Sequence, residues 1–209
     1  MARRVKGRPV KVGYKVFFGL LGAIAIITEI VVLLERGVFN PGNFFSYFTI
    51  LSNIFASVML LVAAGYLIAK KTSARLDFYR GASTLFMVTT GVVFSLLLSG
   101  LQDVQFTATP WDNLVLHYII PIVMLADWLW DQPSVRVPFK KALLWLAVPL
   151  AYFAYSLIRG VFVDWYPYPF LDPANGGYGQ VLVTSLIITI FGVIAVFVVS
   201  SIGARKSSK

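Results

Sequence analysis

Apolar residues in this chain come in six blocks of about 20, separated by short segments that are polar or contain proline and glycine. The blocks lack the alternation of a barrel strand, and their length is that of a helix crossing a bilayer. The pattern therefore predicts an all-α polytopic membrane protein, a bundle of six transmembrane helices. Nearly all of the 209 residues belong to a span or a short loop, which indicates one domain. The predicted spans are 13–34, 44–68, 80–99, 112–130, 139–158 and 179–202.

Composition agrees with this class, since 58% of the residues are hydrophobic and only 13% are charged. Soluble domains carry roughly 25% charged residues. A net charge of +9 is compatible with nucleic-acid binding, but the positions of the charges argue against it. Sixteen of the 18 basic residues lie at the two ends of the chain or in alternate loops: Arg3, Arg4, Lys6, Arg8, Lys11, Lys15, Lys70, Lys71, Arg75, Arg80, Arg136, Lys140, Lys141, Arg205, Lys206 and Lys209.

This alternation is the positive-inside pattern for an even number of spans with both termini in the cytoplasm. The basic loops are interpreted as topology determinants that face anionic lipid headgroups, and no nucleic-acid partner is expected. The apolar run 15–34 is longer than the roughly 7–15 residue core of a signal peptide, and no small-x-small site closes it. We therefore expect an uncleaved first span.

Residue counts and missing motifs exclude several kinds of chemistry. The chain has no cysteine and a single histidine, too few ligands for a zinc site. Neither the G-x-S-x-G elbow of serine hydrolases nor a glycine-rich phosphate loop occurs. No metal, cofactor or nucleotide is therefore expected.

The one long irregular segment is 163–179, where three prolines and three glycines exclude a regular helix. Its aromatic residues make it too apolar for a solvated tether. We expect a compact cap over the outer mouth of the bundle, with a loop resting on the lipid headgroups as the alternative. No internal repeat is present, which weakens the case for a transporter built from inverted halves.

Polar residues gather at one depth near the outer ends of the spans. Thr49 on span two and His117 on span four each lie about five residues, roughly 7 Å, below the outer start of their span. Polar groups inside a bilayer normally face the bundle interior or a wet cavity. The layer therefore predicts a polar chamber that opens toward the outer leaflet. Its members on the other spans are Glu29, Ser95, Ser99, Tyr155, Arg159, Thr184 and Ser185.

Helical spacing places these residues on two stripes. One is Ser46, Thr49 and Asn53 at i, i+3 and i+7, and the other is Asn113, His117 and Pro121 at i, i+4 and i+8.

Thr49 can be a nucleophile if the imidazole of His117 takes its proton, because threonine alone is a poor nucleophile at neutral pH. The pair would then hydrolyse an ester through an acyl-enzyme. Chemistry alone does not prefer Thr49 to Ser46, Ser52 or Ser95. Candidates to orient the histidine or to hold the oxyanion are Asn113, Asn53, Ser46, Tyr155 and Glu29.

Each of these residues also has a structural interpretation. A lone membrane histidine often holds helices together, and a membrane threonine usually bonds its own backbone or a neighbouring helix. Glu29 can be a proton-relay residue, a partner of the histidine or the mate of Arg36.

The remaining charges near the two interfaces are given structural interpretations. Arg36 and Arg159 can hold a lipid carboxylate or phosphate, but pairing with Glu35, Asp164 or Asp172 is favoured. Asp127 and Asp131, beside Trp128 and Trp130, are interpreted as an inner interface belt.

The two stripes resemble a known family. The segments FSYFTILSN (45–53) and NLVLHYIIP (113–121) are similar to those of the androgen-induced membrane hydrolases, which include the androgen-dependent regulator of tissue factor pathway inhibitor. The six-span members of that family cleave fatty acid esters of hydroxy fatty acids with a threonine nucleophile and a histidine. The resemblance implies these roles for Thr49 and His117. The whole chain, including YPYPFLDP (166–173), resembles bacterial "Pr-six-Pr" membrane proteins more closely, which implies the bacterial cytoplasmic membrane.

The resulting hypothesis is an intramembrane hydrolase of lipid or fatty-acyl esters, whose partners are membrane lipids or a lipid-like ester. Two rivals stay open. One is a small-molecule or proton-coupled transporter that uses Glu29 and His117 as titrating groups. The other is a non-catalytic lipid-binding scaffold, in which Thr49 and His117 matter only for stability.

Overall fold

A computed structural model describes residues 7–101 and 107–203 of the chain. This part is helical and without strands, and six of its helices are long and apolar enough to cross a membrane. The six-helix prediction is therefore confirmed, whereas the side on which the termini lie stays a prediction. The helices are α1 (Arg8–Glu35), α2 (Phe48–Ile68), α3 (Ala74–Leu98), α4 (Pro110–Trp130), α5 (Phe139–Val163) and α6 (Gly177–Ser201).

Several helices extend beyond the predicted apolar spans, because polar residues at the ends of these spans are also helical. Helix α3 begins at Ala74, six residues before the predicted span, since Ser73 caps it by accepting a hydrogen bond from Leu76 N at 3.3 Å. Helix α2, by contrast, begins later than predicted. The turn Pro41–Phe44 precedes it as a separate short helix, which Asn40 caps by accepting from Asn43 N at 3.0 Å.

Helices α1 to α4 form the tightly packed part of the bundle. Helix α1 packs along α2, and α3 lies against α2, α4 and α6. The close approach of α1 and α2 requires Gly22, because a Cβ there would lie 2.5 Å from Ser57 Oγ. Helix α5 is the most exposed of the six, and it packs on α6 mainly through its first two turns. The upper part of α5 is thus free of close helical neighbours on much of its surface.

We call the end of the bundle where α1 begins and α6 ends the basic end. A buried ion network occupies it. Lys15, which is fully buried, bonds Asp127 and lies 3.1 Å from Asp131. Arg80 lies 2.7 Å from Asp127 and 3.3 Å from Asp77, both measured between side-chain nitrogen and oxygen atoms. The network joins α1, α3 and α4.

The network corrects two expectations. Lys15 and Arg80 do not face lipid headgroups, because both side chains are buried and paired with a carboxylate inside the bundle. Asp127 and Asp131 are not an interface belt, because both side chains are buried and paired with those cations. Burial disfavours the charge of Asp131, but Lys15 and Arg80 outweigh it and lower its pKa to about 2.

Removing one cation from this network should destabilise the fold. Lys15→Met keeps the length of the side chain but leaves Asp127 and Asp131 buried with one cation fewer. Breaking a buried pair in this way costs about 3–5 kcal/mol, so we expect a clearly lower midpoint of thermal unfolding in detergent. Lys140→Met, at an exposed position of the same end, is the matched control. If Lys15→Met and the control unfold at the same midpoint, the ion network does not stabilise the fold.

Candidate active site

Two π-helical turns face each other at the end of the bundle opposite the basic end, which we call the cavity end. They are Phe94–Leu98 in α3 and Val115–Ile119 in α4. The Phe94 ring stacks on the imidazole of His117, with 3.8 Å between ring centroids and 19° between ring planes. A π turn inserts one extra residue into a helix, and such turns are frequent at functional sites. Nothing in the hydrophobic pattern predicted either turn.

His117 is held in one orientation and one tautomer. Its side chain is buried, and its Nδ1 lies 3.3 Å from the carbonyl oxygen of Asn113. Because a carbonyl only accepts, Nδ1 carries the proton in the neutral ring and Nε2 keeps its lone pair. Among the residues that the structure describes, His117 makes no other hydrogen bond. Nε2 is therefore left as the basic atom of the ring.

Thr49 is the second residue of α2, where backbone N–H groups have no acceptor within the helix. Its N–H donates instead to the hydroxyl of Tyr168 at 3.2 Å, and its Oγ1 lies 3.3 Å from that hydroxyl. In the described part of the chain, Oγ1 makes no bond back to its own helix. The backbone bond usual for a membrane threonine is absent there, and the Thr49 hydroxyl points to the loop residue instead.

A polar cavity of about 270 Å³ contains both predicted catalytic residues. Thr49 and His117 line it together with Glu29, Arg36 and Tyr168. No hydrogen bond joins Thr49 to His117 within the ranges described. The structure thus places the two side chains on one cavity without a hydrogen bond between them.

A second cavity, of about 110 Å³, is almost entirely apolar and lies among α2, α3, α5 and α6. Phe94, Leu150 and Ile188 are typical of its walls. Thr49 and Tyr168 line this cavity as well as the polar one. The two residues therefore form the wall between a polar and an apolar compartment.

Two asparagines brace the pair. The side-chain amide of Asn53 donates to the carbonyl of Thr49 at 2.9 Å and to that of Leu116 at 3.0 Å, which ties α2 to α4 beside His117. The Asn113 carbonyl holds Nδ1 of His117. The side-chain Oδ1 atoms of both asparagines are buried and have no hydrogen-bond partner within the described ranges. Buried acceptors of this kind call for a water molecule or a ligand donor.

Ser46 and Tyr155 lie away from the pair. Ser46 precedes α2, so it does not continue the predicted stripe with Thr49 and Asn53. Its hydroxyl donates to the Gly42 carbonyl at 2.6 Å and lies 2.9 Å from the Tyr155 hydroxyl. The two residues connect the segment before α2 to α5, and neither of them lines the polar or the apolar cavity.

Ser95 is exposed and lines neither cavity, contrary to the sequence prediction. Its hydroxyl donates to the Gly91 carbonyl at 2.7 Å. Ser95 lies in the π turn that begins at Phe94, whose extra residue shifts the phase of the helix. Phe94 and Leu98 of this turn are buried, and Ser95 between them faces outward.

The two arginines of the cavity end have no carboxylate partner in the described ranges, so the favoured pairing with Glu35, Asp164 or Asp172 is wrong. Arg36 donates to the Ala108 carbonyl at 3.0 Å, and Ala108 N donates to Glu29 at 2.7 Å. Arg159 donates to the side-chain oxygen of Asn43 at 2.7 Å, and its guanidinium lies 5.1 Å from the ring of Trp165. Glu29 and Arg36 thus reach the polar cavity, whereas Arg159 braces the loop beside it.

Tyr168 is the site residue that sequence reasoning missed. It belongs to the segment 163–179, is buried, and packs with Phe94, Leu98 and Leu171. Its ring stacks on Phe170 with 5.2 Å between centroids. Burial raises the pKa of Tyr168, so its phenol stays neutral and can donate a hydrogen bond. The only sequence signal was the aromatic content of a proline-rich loop, which does not single out one tyrosine.

Comparisons with protein-family models, with curated proteins and with solved structures found no match to this chain.

Replacing Asn53 should loosen the site. Asn53→Leu removes the hydrogen bond to the Leu116 carbonyl, which joins α2 to α4, and the bond to the Thr49 carbonyl within α2. A hydrogen bond contributes about 0.5–1.5 kcal/mol, so the midpoint of thermal unfolding should fall. Ser95→Ala, which removes an exposed back-bond, should change stability by no more than about 0.5 kcal/mol. Equal midpoints for the two variants would contradict the bracing role.

Proposed function

We propose that this chain is an intramembrane hydrolase of lipid or fatty-acyl esters, with Thr49 as nucleophile and His117 as general base. The observation that carries the proposal is that Thr49 lines both an apolar and a polar cavity, and that His117 lines the polar one. A fatty-acid ester likewise has an apolar hydrocarbon chain and a more polar alcohol portion, with the carbonyl group between them. The resemblance of the segments 45–53 and 113–121 to membrane threonine hydrolases supports the same roles.

A fatty-acyl ester fits the two compartments in one orientation. Its hydrocarbon chain would lie in the cavity walled by residues such as Leu150 and Ile188, and its alcohol portion in the cavity that holds Glu29 and Arg36. Apolar pockets with few, well-placed polar groups are typical of ligand sites. The carbonyl carbon then lies next to Thr49 Oγ1.

In the first step, Nε2 of His117 takes the proton from Thr49 Oγ1 as this oxygen bonds to the carbonyl carbon. The C–O bond to the alcohol then breaks, and the alcohol leaves with the proton from the imidazolium. In the second step, water attacks the acyl-threonine while the same nitrogen takes its proton. The carboxylic acid is released, and Thr49 regains its proton. Contacts between nucleophile and base are often looser without substrate, as they are here.

Two hydrogen-bond donors beside Thr49 Oγ1 are candidates to stabilise the oxyanion. The Thr49 N–H donates to the hydroxyl oxygen of Tyr168, and an oxyanion could accept from the same N–H after a small displacement of that phenol. The neutral Tyr168 hydroxyl is then a second donor. We assign to these two groups the stabilisation of the tetrahedral intermediate.

Covalent labelling tests the nucleophile. We expect one fluorophosphonate adduct in intact-protein mass spectra of the detergent-purified chain, and peptide mapping should place it on Thr49. Thr49→Val should abolish the adduct, and His117→Gln should lower the rate of labelling at least about 100-fold, the lower range for general-base catalysis. Ser46→Ala and Ser52→Ala are matched controls that keep it.

Each other outcome has a defined meaning, provided that thermal unfolding shows the variants to be folded. An adduct on a serine would discard Thr49 as nucleophile. If the protein shows no labelling and no ester turnover, the hydrolase proposal is refuted. Substrate counterflow in proteoliposomes would then favour a carrier, and a lower unfolding midpoint in Thr49→Val and His117→Gln without any activity would favour a scaffold.

Tyr168→Phe tests the oxyanion donor, because it removes the hydroxyl and keeps the ring. We expect kcat for a chromogenic long-chain acyl ester to fall about 100-fold with little change in KM, as for other single oxyanion donors. Tyr155→Phe, whose hydroxyl bonds Ser46 outside both cavities, should keep kcat within about twofold. An unchanged kcat in Tyr168→Phe would remove this residue from the reaction.

A further inference from the structure

A third cavity, of about 70 Å³, lies at the basic end between the start of α1, the end of α2 and the start of α3. Four cations line it, and two carboxylates line it as well: Arg8, Lys70, Lys71 and Arg80, with Asp77 and Asp131. It lies at the opposite end of the bundle from Thr49 and His117, so it is independent of the proposed hydrolysis.

The charges around this cavity are not balanced. In the ion network, three cations bind three carboxylates, so both carboxylates of the cavity are already paired. The cations are Lys11, Lys15 and Arg80, and the carboxylates are Asp77, Asp127 and Asp131. Arg8, Lys70 and Lys71 have no carboxylate partner among the residues that the structure describes. Three uncompensated cations therefore converge on one small cavity.

The backbone at the end of α2 holds two of these cations in place. Lys70 adopts the left-handed conformation with φ of 57°, a position after a helix that glycine or asparagine normally occupies. The N–H of Lys71 then donates to the Tyr66 carbonyl at 2.9 Å. This turn lets consecutive lysines line the same cavity. A lysine at a position that disfavours it points to a use for its charge.

Two further groups favour an anion. Helix α3 begins beside the cavity, where Ser73 lines it, and the helix dipole is positive there. Arg80 lines the cavity with only 4% of its surface exposed, and its Nε–H is buried without an acceptor among the residues that the structure describes. A buried donor without a partner is a position where a ligand oxygen can bind.

We propose that this cavity binds the phosphate of an anionic phospholipid headgroup. A phosphate oxygen satisfies the lysine ammonium groups and the Arg8 guanidinium at once. The apolar residues Ala63, Leu67 and Leu76 on the same wall give the glycerol and the first methylenes of the lipid an apolar contact.

Native mass spectrometry of the detergent-purified full chain tests this site with two lipids, phosphatidylglycerol and zwitterionic phosphatidylcholine. We expect one phosphatidylglycerol to bind in preference. Lys70→Gln/Lys71→Gln should weaken its binding at least fivefold, and Lys71→Gln alone about twofold. The control Arg75→Gln/Lys140→Gln removes the same charge from exposed residues of the same end that do not line the cavity, and should bind as the parent does.

A thermal-unfolding assay with inorganic phosphate alone distinguishes a site for a lipid headgroup from a site for free phosphate. No stabilisation by free phosphate supports a lipid site. Stabilisation of the parent but not of Lys70→Gln/Lys71→Gln would keep the phosphate chemistry and overturn the lipid. Equal loss of phosphatidylglycerol in both double variants would show nonspecific surface attraction and overturn the proposal. So would retention of the lipid in every variant.

Discussion

The need to pair every charge withdrawn from water determines how this bundle is built. Within a bilayer a polar group finds its partner inside the protein or remains costly. At the basic end the buried carboxylates meet this rule, because Lys15 and Arg80 pair with Asp127 between α1, α3 and α4. The network joins three of the four tightly packed helices. The same three helices carry Glu29, Phe94 and His117 at the cavity end.

The cavity end departs from the same rule at particular atoms. Oδ1 of Asn53, Oδ1 of Asn113 and Oδ2 of Asp112 are all buried without a hydrogen-bond partner among the described residues. They lie on the elements that carry Thr49 and His117. The buried carboxylates of the basic end are thus paired with cations, whereas the cavity end has unused acceptors around a cavity. Unused acceptors of this kind favour the binding of water or a ligand.

Hydrophobic patterning was sufficient to predict six helices, and equal depth below the span ends was sufficient to place Thr49 and His117 on one cavity. The pattern could not predict the π turns at Phe94 and Val115, because an inserted residue leaves no mark in an apolar run. The sequence pattern therefore predicted that Ser95 lines the chamber, whereas its side chain is exposed. Lys15 and Arg80 were grouped with the cations that face lipid headgroups, because the sequence does not show which buried carboxylates pair with them. Tyr168 comes from a distant loop, and its position depends on tertiary contacts.

The wall formed by Thr49 and Tyr168 also bears on the fate of the products. With the proposed reaction at that wall, the fatty acid is released on the apolar side, next to the exposed upper part of α5 and the surrounding lipid. The alcohol would be released into the polar cavity, on the side of Glu29 and Arg36. The two products would then occupy different cavities. Their separation across the wall would disfavour the reverse reaction, because an acid that has moved into the bilayer no longer meets the alcohol at Thr49.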